Sequence, residues 1–256
     1  MELEIKNGCF GYTADNPILE KISFKLGQGK IMTVLGQNGT GKTTLLKCLM
    51  GLLKWQSGQT LIDGKPFYSM KECEGIGFVP QAHKTVFPFT VSEMTAIGRA
   101  RHISVFGTPS KTDSEKVMHA LETVGISHLK DRLCSQLSGG QLQLVYIARA
   151  LANEPKLLIM DEPESHLDFK NQMLILKLVQ KLKIEKKISC IINTHYPEHA
   201  IRISDDTLLL GHRSYIYGES SEIISEKNIK KFFEVNARIF SVPELSANTK
   251  VFTVID

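Results

Sequence analysis

Gly36-Gln-Asn-Gly-Thr-Gly-Lys-Thr43 limits what this chain can fold into more than any other stretch. Its spacing is Gly, four residues, Gly-Lys, then Ser or Thr, which marks a phosphate-binding loop when a strand precedes it and a helix follows. Both flanks are present. Ile31-Met-Thr-Val-Leu35 is nearly all apolar, as a covered central strand is, and 44–53 has a helical pattern. Gly36, Gly39 and Gly41 free the backbone to turn successive N–H groups into one concavity, and the helix N-terminus behind them adds unpaired donors. Lys42 is expected to meet the β- and γ-phosphates of a nucleotide, and the Thr43 hydroxyl to ligate Mg²⁺. Asn38 and Thr44 complete the expected nucleotide contacts of this loop.

The rest of the chain supplies a sheet for that loop. Leu3 and Ile5 alternate with polar residues, as does Ile22-Ser-Phe-Lys-Leu26, which predicts an N-terminal β region with Asn16-Pro17 at the turn. Thr60-Leu-Ile-Asp-Gly64 and Ile76-Gly-Phe-Val-Pro80 read as further strands. From about Thr90 to Leu137 helical spacing takes over. Thr112-Asp-Ser-Glu115 reads as a capping box, Val117, Leu121 and Val124 share a face, Gly125 is a stop, and Phe106-Gly-Thr-Pro109 is a loop between helices. Leu157-Leu-Ile-Met160 and Ile188-Ser-Cys-Ile-Ile192 are buried parallel-type strands, joined by an amphipathic segment at 171–182. Strands at 207–210 and 215–217 and a helix at 225–235 follow, and 236–256 is expected to hold a strand pair.

The expected fold is α/β: a phosphate-loop NTPase core, with a mostly parallel sheet and helices on both faces, plus an N-terminal antiparallel β region. An α-helical subdomain is inserted at 85–137 of a single domain spanning 1–256.

Two further constellations carry chemistry. Asp161 and Glu162 end an apolar strand, at the sheet edge where open parallel sheets place their ligands. Asp161 is set to hold Mg²⁺ across from Thr43, and Glu162 to polarise a water aimed at the γ-phosphate. Ser138-Gly-Gly-Gln141 opens a second helix with a hydroxyl and two glycines, which makes a second anion-binding device. One chain has no second phosphate to put there. The economical arrangement is a two-fold dimer in which Ser138, Gly139, Gly140 and Gln141 close on ATP held by the partner's phosphate loop.

Taken in order, these motifs resemble the ATPase subunit of an ABC transporter. Residues 36–43 match the Walker A loop, Asp161 and Glu162 the Walker B pair, and 138–141 the signature. The resemblance implies that Gln81 senses Mg²⁺ and the γ-phosphate, that His195 is the switch histidine, and that Tyr12 stacks on adenine. Leu167-Asp168 is similar to the D-loop, which faces the partner subunit. Three positions depart from the pattern: Leu142 stands where a polar residue is usual, Glu164 where Thr is common, and His166 where Ala is commoner. The segment 89–102 is similar to the helical lobe of importers for metal chelates such as iron–siderophore, haem and cobalamin, and for molybdate. The D-loop region resembles that subgroup too.

The expected function is therefore ATP hydrolysis driving a multi-helix membrane permease that docks on the helical lobe, with a substrate-binding protein acting further out. The alternative is a soluble ABC ATPase serving as an assembly factor, for instance in iron–sulfur cluster building. The bulk properties agree. A chain of 256 residues, 42% hydrophobic and 23% charged, with net charge +4 and no dominant run of like charge, gives no sign of a nucleic-acid partner. No apolar run spans a bilayer and the N-terminus does not read as a signal peptide, so a place on the cytoplasmic face of the membrane is expected. Five widely spaced cysteines argue for reduced thiols and against a zinc site.

Overall fold

The computed structural model describes residues 1–13, 16–70, 73–81, 88–104, 107–241 and 250–255. The chain begins with two long antiparallel strands, β1 (Leu3–Thr13) and β2 (Asn16–Leu26), in which Leu3 pairs with Leu26 and Thr13 with Asn16. Asn16 and Pro17 thus open β2 and do not form the turn. Pro17 lies at the very start of the strand, on the sheet edge, where its missing N–H costs no ladder bond. The next strand, β3 (Ile31–Leu35), is completely buried and runs into the phosphate loop and α1 (Lys42–Leu49). Then β4 (Ser57–Ile62) and β5 (Lys65–Phe67) form a hairpin whose turn, Asp63-Gly64, has positive φ at both residues. These two strands extend the first sheet into the order β2-β1-β4-β5.

The second sheet is the scaffold of the site. It takes β6 (Ile76–Val79), β7 (Leu157–Asp161), β8 (Ser189–Asn193), β9 (Asp206–Gly211) and β10 (Ser214–Glu219) in the order β10-β9-β3-β8-β7-β6. All its pairs are parallel except β9 with β10. Successive side chains of a strand face opposite ways, and here both faces are covered. Leu157, Ile159 and Ile191 join Leu45, Leu46 and Leu49 of α1, together with Phe10 and Phe24, beneath the first sheet. Leu158, Met160, Cys190 and Ile192 join the helices of the opposite side. Each such fully buried aliphatic side chain contributes about 1.5–3 kcal/mol relative to exposure.

Those helices are α2 (Val91–Ala96), which runs into a 3-10 turn at Ile97–His102, α3 (Lys111–Thr123), α4 (Gly139–Leu151) and α5 (Phe169–Lys186). The helical pattern expected within 85–137 is present where residues are described; Thr85 and Phe106 lie outside them. The cap of α3 differs from the expectation. Ser110, not Thr112, is the N-cap. Its Oγ accepts from Asp113 N at 3.1 Å, and the Asp113 carboxylate accepts from Ser110 N at 3.0 Å. In this register Asp113 also meets Arg99, whose Nε donates to Asp113 Oδ1 at 2.9 Å and whose guanidinium also reaches Ala152 O at 3.0 Å. Leu142 is buried among the α2–α4 residues, so its apolar character serves packing. Helix α4 packs against both α2 and α3 and joins the lobe to the sheet.

After β8 come α6 (Pro197–Ile203), the short α7 (Ser220–Ile223) and α8 (Glu226–Phe233), which enclose a third cluster around Leu35, Leu209 and Phe232. Near the end of the chain β11 (Ala237–Ser241) and β12 (Lys250–Val254) pair antiparallel with each other. Cys48, Cys134 and Cys190 are buried, and burial pushes the Cys48 and Cys190 thiols up to about 12. Among the described residues, no helix is long and apolar enough to cross a membrane.

Candidate functional site: a nucleotide cleft at the sheet edge

The cleft opens where β3, β7 and β8 end side by side. Its form depends on two glycines. A Cβ on Gly36 would lie 2.2 Å from Leu210 O, so the loop can leave β3 against β9 only with glycine there. Gly41 has φ 97°, and a Cβ on it would meet Ile18 at 2.5 Å. The loop they shape caps α1 and, with Tyr12, Ile18 and Glu162, lines an open cavity of about 310 Å³, at the small end of the usual size of a small-ligand site. Asn38, Gly39, Lys42, Thr43 and Thr44 all contribute to that lining.

Lys42 is buried, and its Nζ donates to Gly36 O at 2.9 Å and Gln37 O at 3.0 Å. Burial lowers its pKa, while the carboxylates of Glu162 and Asp161 act the other way. Thr43 Oγ1 donates to Asp161 Oδ1 at 3.5 Å, and the same oxygen accepts from Asn193 Nδ2 at 2.5 Å. A hydroxyl and a carboxylate facing each other across a phosphate loop form the oxygen donor set that Mg²⁺ prefers. Tyr12 is largely exposed, stands edge-on to Phe10 with ring centroids 5.2 Å apart, and has its hydroxyl 3.4 Å from Thr44 Oγ1.

Glu162 departs from β7 in the left-handed region, with φ 47°, a strained conformation for a residue bearing a Cβ. Its backbone N–H donates to Asn193 O at 3.0 Å, which turns the side chain back over the strand ends. There its Oε1 faces His195 Nε2 at 2.5 Å and its Oε2 accepts from Ser165 Oγ at 2.9 Å.

The signature residues sit elsewhere. Ser138 caps α4: its Oγ accepts from Gln141 N at 3.3 Å, and Gln141 Oε1 accepts from Ser138 N at 3.1 Å. Gly140 is pressed against Asn171 of α5, Gly139 lies near Leu167, and none of the four residues lines the cleft. Ser138 and Gly139 are exposed. Gln81 follows β6, half-buried, and among the described contacts none joins it to Thr43 or Asp161. Asn193 and Ser165, which hold the two acids in place, were not foreseen. A polar residue ending the apolar run of β8 is the only signal for Asn193, and Ser165 carries none.

The model of one family, the ABC transporter, matches residues 19–165, more than half of the chain. The chain belongs to the ABC transporter family. It is similar to the molybdate import ATP-binding protein MolC of Haemophilus influenzae, with 37% identity over 91% of this chain and 88% of that one. It is likewise similar to the iron(3+)-hydroxamate import ATP-binding protein FhuC of Bacillus subtilis, with 32% identity over 91% and 88%. Among solved structures it overlays, with TM-score 0.89 and 33% identity over 99% of this chain and 97% of the other, on a chain of an inward-facing ABC transporter provisionally assigned to the metal-chelate type. As a transporter ATPase of this family it binds nucleotide, hydrolyses it, and works with membrane permease components.

Proposed function

We propose that two copies of this chain close around two ATP molecules and power a permease that imports a metal chelate or an oxyanion. The observation that carries the reading is the placing of Glu162 between His195 and Ser165 over the phosphate loop, with Ser138 and Gly139 exposed outside the same cleft. An acid held at both oxygens is aimed, and aim is most of what phosphoryl transfer asks of a protein.

In this reading Lys42 exchanges its two loop carbonyls for the β- and γ-phosphate oxygens, and the α1 N-terminus with the 36–41 amides holds the rest of the chain of phosphates. Tyr12 stacks on the base. Thr43 and Asp161 would hold Mg²⁺, with Gln81 joining them when the β6 end moves in; when bound, the ion neutralises charge on the phosphate oxygens. Glu162 accepts the proton of the attacking water through Oε2 or Oε1, and His195 orients the carboxylate and faces the γ-phosphate. Ser138, Gly139, Gly140 and Gln141 supply hydroxyl and helix N-terminus to the partner's ATP.

The cargo class rests on the relatives, whose names speak of molybdate and iron(3+)-hydroxamate import. The chain is then a peripheral subunit on the cytoplasmic face of the membrane, with the 85–137 lobe as the permease's seat and a substrate-binding protein delivering cargo from outside. Purified chain should hydrolyse ATP only with Mg²⁺ and co-purify with a multi-helix membrane protein. Co-purification with a soluble scaffold and no membrane protein would overturn the transport reading.

A further inference from the structure

Glu164 is among the most buried charged side chains described, 1% exposed, at a position outside the cleft. One of its oxygens, Oε2, is buried without a hydrogen-bond partner. The other accepts from Thr194 Oγ1 and faces His199 Nδ1 at 3.5 Å. A buried, half-satisfied carboxylate is costly, and a threonine or an alanine would be cheaper to bury there. Glu164 belongs to the segment leaving β7, two residues after Glu162, and Thr194 to the segment leaving β8, one residue before His195.

Thr194 Oγ1 works in two directions. It donates to Glu164, and it accepts from Tyr196 N at 3.2 Å, which closes a turn around His195. The Tyr196 ring in turn lies against the His199 ring with centroids 4.7 Å apart. His195 is therefore flanked on both sides by residues tied, directly or through His199, to one carboxylate on the neighbouring loop. Farther along that loop, Glu164 O accepts from Gln172 Nε2 at 3.5 Å, and Asp168 caps α5 through Asn171 N at 2.8 Å, beside the signature glycines.

We infer that Glu164 is a positioning residue that locks the loop carrying Asp168 to the loop carrying His195, so that His195 meets Glu162 in working geometry only while this buried bridge to Thr194 and His199 holds. This rests on the hydrolytic reading of Glu162 and His195 given above. Glu164 is not among the residues that line the nucleotide cleft. It acts through the turn 194–196, and its loss lowers turnover without altering nucleotide affinity.

The test is steady-state ATP hydrolysis by the full chain with Mg²⁺, alongside direct binding of a fluorescent ATP analogue and thermal melting. Glu164→Ala should lower kcat by about 10- to 100-fold, the cost of a small misplacement near the chemistry, with KM and analogue affinity unchanged. Glu164→Gln keeps an acceptor oxygen for Thr194 and should retain kcat within about threefold, since the lost negative charge plays no part in holding the turn. Thr194→Val cuts the same bridge from the other side without adding a charge, so it should reproduce the Ala phenotype, and the double variant should be no slower than the slower single one. Wild-type kcat in both Glu164→Ala and Thr194→Val overturns the inference. So does a Gln variant as slow as Ala, or a fall in kcat that only follows lost analogue binding or melting below the assay temperature. A wild-type chain that binds but never hydrolyses ATP would instead overturn the hydrolytic reading itself.

Discussion

His195 Nε2 and Glu162 Oε1 stand 2.5 Å apart, although the two residues lie on loops that leave different strands. The contact exists because β7 and β8 pair in a register that sets Asp161 opposite Asn193, so Glu162, the residue after Asp161, and the loop carrying His195 emerge side by side. A histidine in this position holds a carboxylate against a fixed point. His195→Ala should therefore lower kcat by about 10²-fold or more while leaving nucleotide binding largely intact, because it removes the group that orients Glu162 while Lys42 and the loop amides still hold the phosphates. Equal losses in binding and turnover, read from analogue affinity and steady-state rates, would contradict this role.

Lys42→Ala addresses binding. Loss of a charge-assisted contact to the phosphates should weaken ATP affinity by about 10- to 100-fold. Burial lowers the Lys42 pKa, so its affinity contribution, which needs the protonated amine, should fade at a pH below that of an ordinary lysine as alkali is added. A titration of analogue binding from pH 7 upward checks it, with Lys42→Ala as the flat control.

Mixing separates the two halves of the shared site. Lys42→Ala and Ser138→Arg homodimers should both be inactive. Co-expressed, they place both lesions in one site of the heterodimer and leave the other site whole, so some activity should return. A Ser138→Arg homodimer with wild-type activity would contradict a site completed by the partner.

The lobe has its own acid sensitivity. Hydrogen bonds from Ser110 and the Arg99 guanidinium hold the Asp113 carboxyl down at about 2, below its ordinary 3.8. A depressed folded pKa stabilises above the unfolded value and is lost as pH falls through the folded one. Stability should therefore drop between about pH 4 and pH 2, and Asp113→Asn should remove that part of the slope. Thermal melts across this range measure it.

The α/β core and the residues of the phosphate loop were legible because each rests on local signals: an apolar strand, glycines at fixed offsets, a helix start. Tertiary contacts decided what was misread. Thr112-Asp-Ser-Glu115 fits the capping-box pattern, yet Ser110 and Asp113 form the box, and there the Asp113 carboxylate also meets Arg99, fourteen residues away. Asn16-Pro17 has turn chemistry but stands inside β2, where the register of β1 places it. Asn193 holds Asp161, and Glu164 holds Thr194, across neighbouring strands, and no spacing along one strand encodes a partner on the next; Ser165 meets Glu162 within one loop that carries no sequence pattern of its own.

The cargo should show in the cell. Deleting the gene should abolish growth on one scarce metal chelate or oxyanion and leave iron–sulfur enzymes unchanged, as the relatives named for molybdate and iron(3+)-hydroxamate import suggest. Unchanged growth on every such source, with failing iron–sulfur enzymes, would point to an assembly role.

Glu162→Gln with ATP and Mg²⁺ tests the central claim most directly. The amide keeps the shape of the side chain and its contact with Ser165 but cannot take a proton from water. Size-exclusion chromatography of this variant should show a dimer that forms only with ATP, holds one nucleotide per chain and turns over at least 10²-fold more slowly than wild type. A Gln variant that stays monomeric with ATP and Mg²⁺, or hydrolyses ATP at the wild-type rate, would contradict the account.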